Sequence, residues 1–261
     1  MGQADLKCGP GRRLLVSRAR GKDIAVYALA LCTAALGTAL FVTAFFPPKG
    51  GVEVWEGADD ALPPAPARGG NERIIFMLVD AMRADFIYQK DSRFRFVNKK
   101  IRDGGALAFV TKAHPPTVTL PRLKAMIGGS IPGFLDVVSN LNSPELEEDN
   151  VITRAVAAGK KVTMFGDETW LRLFPNSFLR SDGTTAFFVL DTEIVDANVT
   201  RHVMPELEEQ DWDMMILHYL GLDHAGHLGG VHTGLMARKQ REMDLLVEQI
   251  HARLAAQAAA A

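Results

Sequence analysis

Residues 221–230 read Gly-Leu-Asp-His-Ala-Gly-His-Leu-Gly-Gly and follow the apolar run Met214-Met215-Ile216-Leu217-His218-Tyr219-Leu220, so Asp223, His224 and His227 gather at the carboxyl end of an expected strand. One carboxylate with one or two imidazoles suits a borderline-soft divalent cation such as zinc, which takes nitrogen and oxygen ligands and needs about four of them. This segment fills half a shell at most. Read alone, its histidines are equally well loop residues solvated at a strand end. The two cysteines, Cys8 and Cys32, precede residue 47, so any later metal site must be built from Asp, Glu, His and hydroxyl groups.

Further donors stand at the ends of similar runs. Arg73-Ile74-Ile75-Phe76-Met77-Leu78-Val79 ends in Asp80, and Lys161-Val162-Thr163-Met164-Phe165-Gly166 ends in Asp167. For Asp167 alone a turn or helix-cap role is the simpler reading, whereas Asp80 taken with Asp223 and His227 suggests a shared site. Between these runs, Pro115-Pro116-Thr117-Val118-Thr119-Leu120-Pro121-Arg122 holds the chain extended and then starts a helix at Pro121. Thr119 is therefore either the N-cap of that helix or a nucleophile where backbone N–H groups favour negative charge, as attack on a phosphate requires. A threonine hydroxyl is a poor nucleophile at neutral pH, and no Ser-His-Asp spacing marks a general-base triad. Metal coordination is the remaining way to activate it.

The elements that must position these residues follow from hydrophobic patterning. Continuous β-branched and apolar runs suit strands buried on both faces, and residues 150–159 and 203–209 read as intervening helices. Strands alternating with helices predict an α/β fold with a mostly parallel sheet flanked by helices. Ligands bind outside the carboxyl ends of the strands in such folds, which would bring Asp80 and Asp223 to one edge.

Residues 24–46 are uncharged and, at about 1.5 Å per residue, would span about 34 Å as a helix, enough to cross a membrane. The 23-residue leader before them is too long for a cleaved signal peptide, so a transmembrane signal anchor is expected. Lys7, Arg12, Arg13, Arg18, Arg20 and Lys22 precede it, whereas Glu53, Glu56, Asp59 and Asp60 follow, which places residues 1–23 in the cytosol and the remainder across the membrane. Residues 47–70, rich in Pro and Gly, read as a linker, residues 71–250 as the folded domain, and residues 251–261 as an alanine-rich helical tail without a core stripe. A composition of 48% hydrophobic and 23% charged residues is ordinary for a globular domain with one membrane-seeking segment, and a net charge of -2 gives no electrostatic case for nucleic acid. Asn198-Val199-Thr200 is a glycosylation acceptor that a lumenal location would make usable.

Four stretches carry a resemblance: Phe76-Met77-Leu78-Val79-Asp80-Ala81-Met82-Arg83-Ala84-Asp85; Pro116 to Arg122; Phe165-Gly166-Asp167-Glu168-Thr169-Trp170; and His218 to His227. In this order the set resembles the glycosylphosphatidylinositol (GPI) ethanolamine phosphate transferases of the alkaline phosphatase superfamily, over roughly residues 70–250. Asn140-Leu141-Asn142-Ser143-Pro144 and Asp182-Gly183-Thr184-Thr185 fit the subtype that modifies the second mannose.

The resemblance implies an alkaline-phosphatase-like domain with two zinc ions in the endoplasmic reticulum membrane, and the same oxygen and nitrogen ligands would also accept manganese. It implies Thr119 as nucleophile and ligand of one ion with Asp80, and Asp223 and His227 as ligands of the other. Thr117 is the fallback nucleophile, Arg122 would orient the phosphate and Asp85 would support the site from behind; His224 receives no ligand role. The implied reaction moves phosphoethanolamine from phosphatidylethanolamine to Thr119 and then to a mannose of the GPI precursor, with a small membrane-protein subunit as a further expected partner. The family's site is completed by an Asp-His-Gly-Met motif and a later His, neither of which occurs here. The expectation is therefore a fragment, inactive as it stands. A nucleotide pyrophosphatase or phosphodiesterase of the same superfamily, or a non-catalytic membrane-anchored relative, are the alternatives.

Overall fold

The computed structural model describes residues 21–45, 73–113, 115, 117–129, 145–146, 148–185 and 188–260. The chain divides into two units, Met1–Pro48 and Lys49–Ala261. In the first, α1 (Gly21–Phe45) contains a 22-residue stretch, Asp23–Ala44, long and apolar enough to cross a membrane. Thr33 and Thr43 donate their hydroxyl hydrogens to Leu29 O and Ala39 O one turn back, so these polar groups are satisfied inside the helix.

The second unit runs β1 (Ile74–Val79), α2 (Ala84–Tyr88), α3 (Arg95–Arg102), α4 (Thr119–Gly128), α5 (Val151–Ala157), β2 (Val162–Asp167), α6 (Thr169–Leu173), β3 (Arg180–Thr184), α7 (Ile194–Glu208), β4 (Met214–Tyr219), α8 (Gly221–Gly229) and α9 (Gly234–Ala260). The four strands form one parallel sheet in the order β1-β4-β2-β3. This is the expected α/β architecture of a parallel sheet flanked by helices. β2 and β4 lie in the middle and are buried along their whole length, which explains their continuous apolar runs.

β4 shows how the core is divided. Met215, Leu217 and Tyr219 point to one face, with Val199, Val203 and Leu207 of α7 and Met243 and Leu246 of α9. Met214 and Ile216 point to the other, with Leu120 and Leu123 of α4, Ile152 of α5 and Trp170 of α6. The period of two along a strand makes this division, and it puts His218 on the second face.

Two expectations are corrected. Residues 221–230 do not form a solvated loop: Gly221–Gly229 is a helix, secured at its start because Asp196 Oδ1 accepts from Leu220 N (3.2 Å) and Gly221 N (2.8 Å). An added Cβ on Gly221 would lie 2.5 Å from Lys239 Cε, so glycine is required by this close approach. The helix expected over residues 203–209 begins at Ile194, with Pro205 accommodated inside it. Residues 251–260 are helical and continue α9, where Leu254 packs on the core, and Gln257 accepts from Arg73 and donates to Leu207 O.

Candidate functional site

Asp80 follows the last residue of β1. Its N–H donates to Tyr219 O at 2.9 Å, extending the β1–β4 ladder by one rung. Because Val79 pairs with Tyr219, Asp80 comes to stand beside Leu220, the residue that leads into α8 and Asp223. Adjacency of two parallel strands thus brings together residues far apart in sequence. Ala81 has φ 55°, in the left-handed region, and its N–H donates to Asp80 Oδ1 at 2.8 Å. A non-glycine residue in that region carries strain, of the kind functional turns retain.

Thr119 opens α4. The N-cap of the helix is Val118, with no side-chain cap, so the N-cap reading of Thr119 is corrected. Its hydroxyl donates instead to Asp80 Oδ2 at 2.9 Å. Together they line an open cavity of about 490 Å³ with Thr117, Lys112 and Arg122. Arg122 Nε and Nη2 are buried without a hydrogen-bond partner among the described residues. Asp85 is not part of it: it makes an exposed pair with Arg83, at 2.8 Å between Nη2 and Oδ2.

On α8, Asp223 and His227 are one turn apart and meet at 3.4 Å between Oδ2 and Nε2, with the imidazole largely exposed. His224 points inward, where its Nδ1 lies 2.6 Å from Asp191 O, and so anchors the helix. Asp167 caps locally, accepting from Thr169 N at 2.9 Å. Asn198 stands on α7 and not on a surface loop; Val199 is buried, and the Thr200 hydroxyl meets Tyr219 at 3.3 Å.

The two halves interact through charge. Burial pushes the Asp80 carboxyl up, but His218, the Thr119 hydroxyl and the Ala81 N–H together outweigh it and hold Asp80 below the ordinary carboxylate value. Burial raises Asp223, the charge of Asp80 raises it further, and His227, His224 and His218 oppose this. A divalent cation near both carboxylates would relieve that repulsion. Oxygen donors from Asp80, Thr119 and Asp223 with one imidazole from His227 suit zinc or manganese by type. By number they do not fill two shells, and among the described residues no three His, Cys, Asp or Glu side chains form a metal-binding group.

No family model matches the chain. Similarity to individual proteins is extensive. GPI ethanolamine phosphate transferase 2, catalytic subunit, of Homo sapiens is 44% identical over 234 residues, covering 84% of this chain and 24% of the human protein. GPI ethanolamine phosphate transferase 2 of Aspergillus fumigatus is 50% identical over 186 residues, 69% of this chain and 24% of that protein. The chain is homologous to the GPI ethanolamine phosphate transferase 2 family. The protein of that name from Eremothecium gossypii adds 44% identity over 229 residues, 83% of this chain and 28% of its own length. The chain thus spans about a quarter of the length of the curated relatives it matches. Of the two subtype stretches, residues 140–144 lie outside the described residues, and Asp182-Gly183-Thr184 form the end of β3.

Two groups of functional interest escaped sequence reasoning. His218 is fully buried next to Asp80, and its only sequence signal was a polar residue at a core position of a strand. Asp196 and Lys239, paired at 2.7 Å, come from two helices with no local signal.

Proposed function

We propose that this chain supplies the nucleophile half of a phosphoethanolamine transferase site. The supporting observation is the hydrogen bond from Thr119 Oγ1 to an ionised Asp80, at the start of α4 and beside the unused donors of Arg122. In this reading Thr119 Oγ1 forms a bond to the phosphorus of phosphatidylethanolamine as the bond to the diacylglycerol oxygen breaks. The hydroxyl proton, already directed at Asp80 Oδ2, passes by way of that carboxylate to the departing diacylglycerol oxygen. Backbone N–H groups at the start of α4, with the Arg122 guanidinium nearby, would stabilise the phosphate oxygens. The phosphoethanolamine then passes from Thr119 to a hydroxyl of a mannose of the GPI precursor, the second by the subtype resemblance. Asp80 and Thr119 would hold one divalent ion and Asp223 and His227 another; when bound, such ions lower the pKa of a ligating hydroxyl and neutralise phosphate charge.

The reading extends to location and partners. α1 anchors the protein in the endoplasmic reticulum membrane with its amino terminus in the cytosol, the folded unit lies in the lumen, and a small membrane-protein subunit associates with it. Among the described residues these four protein donors fall short of what two zinc ions take, and the chain alone is not expected to turn over. The test is a chimera in which this chain replaces the matching segment of the human relative, in cells lacking that relative. Transfer of phosphoethanolamine to the mannosyl glycolipid should return. Thr119→Ala should abolish it, by at least about a hundredfold as for loss of other activated nucleophiles, and Thr119→Ser should retain part. Normal transfer by the Thr119→Ala chimera would sink the assignment.

A further inference from the structure

His218 stands on the face of β4 that otherwise carries Met214 and Ile216 into the core, and it is fully buried. Trp170 Nε1–H donates to its Nδ1 at 3.1 Å. An indole nitrogen is a donor only, so Nδ1 is the bare nitrogen and the ring hydrogen is on Nε2. That Nε2 has no hydrogen-bond partner among the described residues and lies 3.8 Å from Asp80 Oδ2, the oxygen that accepts from Thr119 Oγ1. A ring nitrogen that carries hydrogen cannot ligate a metal, so His218 is a donor at the site and not an additional ligand. The separation exceeds a hydrogen bond, yet a buried N–H is costly to leave unpaired, and the Asp80 carboxylate is the acceptor it faces.

We propose that His218 is a positioning residue for Asp80: Trp170 fixes its tautomer, and its Nε2–H orients the carboxylate so that Oδ2 meets the Thr119 hydroxyl. The proposal rests on the reading of Asp80 and Thr119 as the reacting pair. It also accounts for the Phe165-Gly166-Asp167-Glu168-Thr169-Trp170 stretch, which the transfer chemistry leaves without a role. Gly166, at φ +141°, lies on β2 directly beside His218; an added Cβ would stand 2.3 Å from His218 O and 2.8 Å from His218 Cβ. Gly166 thus leaves the room and Trp170, four residues on, supplies the donor. Phe76 packs edge-on against the indole, with ring centroids 6.3 Å apart, and steadies it.

Two measurements on the full chain in detergent micelles at neutral pH test this. In histidine 15N spectra, His218, assigned through His218→Gln, should show a bare Nδ1 and a protonated Nε2. Trp170→Phe, which removes the donor and keeps an aromatic ring, should erase that preference. A proton on Nδ1, or an unchanged tautomer in Trp170→Phe, would overturn the proposal. The carboxyl 13C signal of Asp80, assigned through Asp80→Asn, should stay close to wild type in His218→Gln, whose amide N–H can replace Nε2–H. It should shift in His218→Phe. Should His218→Phe not fold, the Trp170→Phe variant serves in its place, and an unmoved Asp80 signal there counts against the proposal. Neither measurement needs turnover, so failure of the chimera with both patterns present would refute the transferase reading and leave the positioning role standing.

Discussion

At the scale of single residues, the two carboxylates at the site respond oppositely to pH. Asp80 has a depressed pKa in the folded state, so it contributes stability above the ordinary carboxylate value, and that contribution is lost as pH falls through its depressed value. Asp223 has a raised pKa; its contribution is fully present below the ordinary value and is lost as pH rises through the raised one. Ionising Asp223 therefore opposes folding, because of its burial and the charge of Asp80. Asp223→Asn should raise the melting temperature at pH 7 by a few degrees, and the gain should vanish in melts run below the ordinary carboxylate range. An equal gain at acid pH would show that burial and charge are not the cause. Stability given up at a site in this way is the usual mark of a group kept for binding.

Among elements, α8 decides the geometry because it carries Asp223 and His227. Its sequence, with Gly221, Gly226 and Gly229, is a weak helix former, and tertiary contacts hold it in place. Asp196 receives the two N–H groups at its start, and Lys239 of α9 balances the buried Asp196 carboxylate at 2.7 Å while also reaching Glu242. Lys239→Met keeps the apolar stem and leaves the Asp196 charge unpaired, and it should cost about 3–5 kcal/mol in chemical unfolding. Adding Asp196→Asn should recover part of that loss. A cost below about 1 kcal/mol for Lys239→Met would mean that the pair does not hold α8. The strands were legible because β1, β2 and β4 are continuous apolar runs, each ending at a residue read in advance: Asp80, Asp167 and the approach to Asp223. β3 was not legible, since Arg180-Ser181-Asp182-Gly183-Thr184 is a short polar edge strand with no hydrophobic signature.

For the molecule as a whole, α1 is the one helix among the described residues that is long and apolar enough to cross a membrane. A 22-residue apolar helix should keep the chain in the membrane pellet through alkaline carbonate extraction, and removal of residues 24–46 should release it to the supernatant. Release of the intact chain would remove the anchor from the functional reading. In the proposed function, whose donor and acceptor would both be lipids, such an anchor would hold the folded unit at the bilayer.

The sequence by itself determined the fold class and the apolar span and offered the residues of the candidate site, because hydrophobic periodicity and local motifs are properties of short stretches. Asp80, Thr119, Asp223 and His227 could each be picked out in this manner. Only the tertiary structure decided which atoms meet. The pairing of Val79 with Tyr219 sets Asp80 beside the start of α8, and α4 turns the Thr119 hydroxyl onto Asp80 Oδ2. It also decided that residues 221–229 are helical, since the capping carboxylate comes from Asp196 on another helix. His218 had to await the fold for the same reason: Trp170 and Asp80, which give its two nitrogens their roles, are brought to it by packing across the sheet.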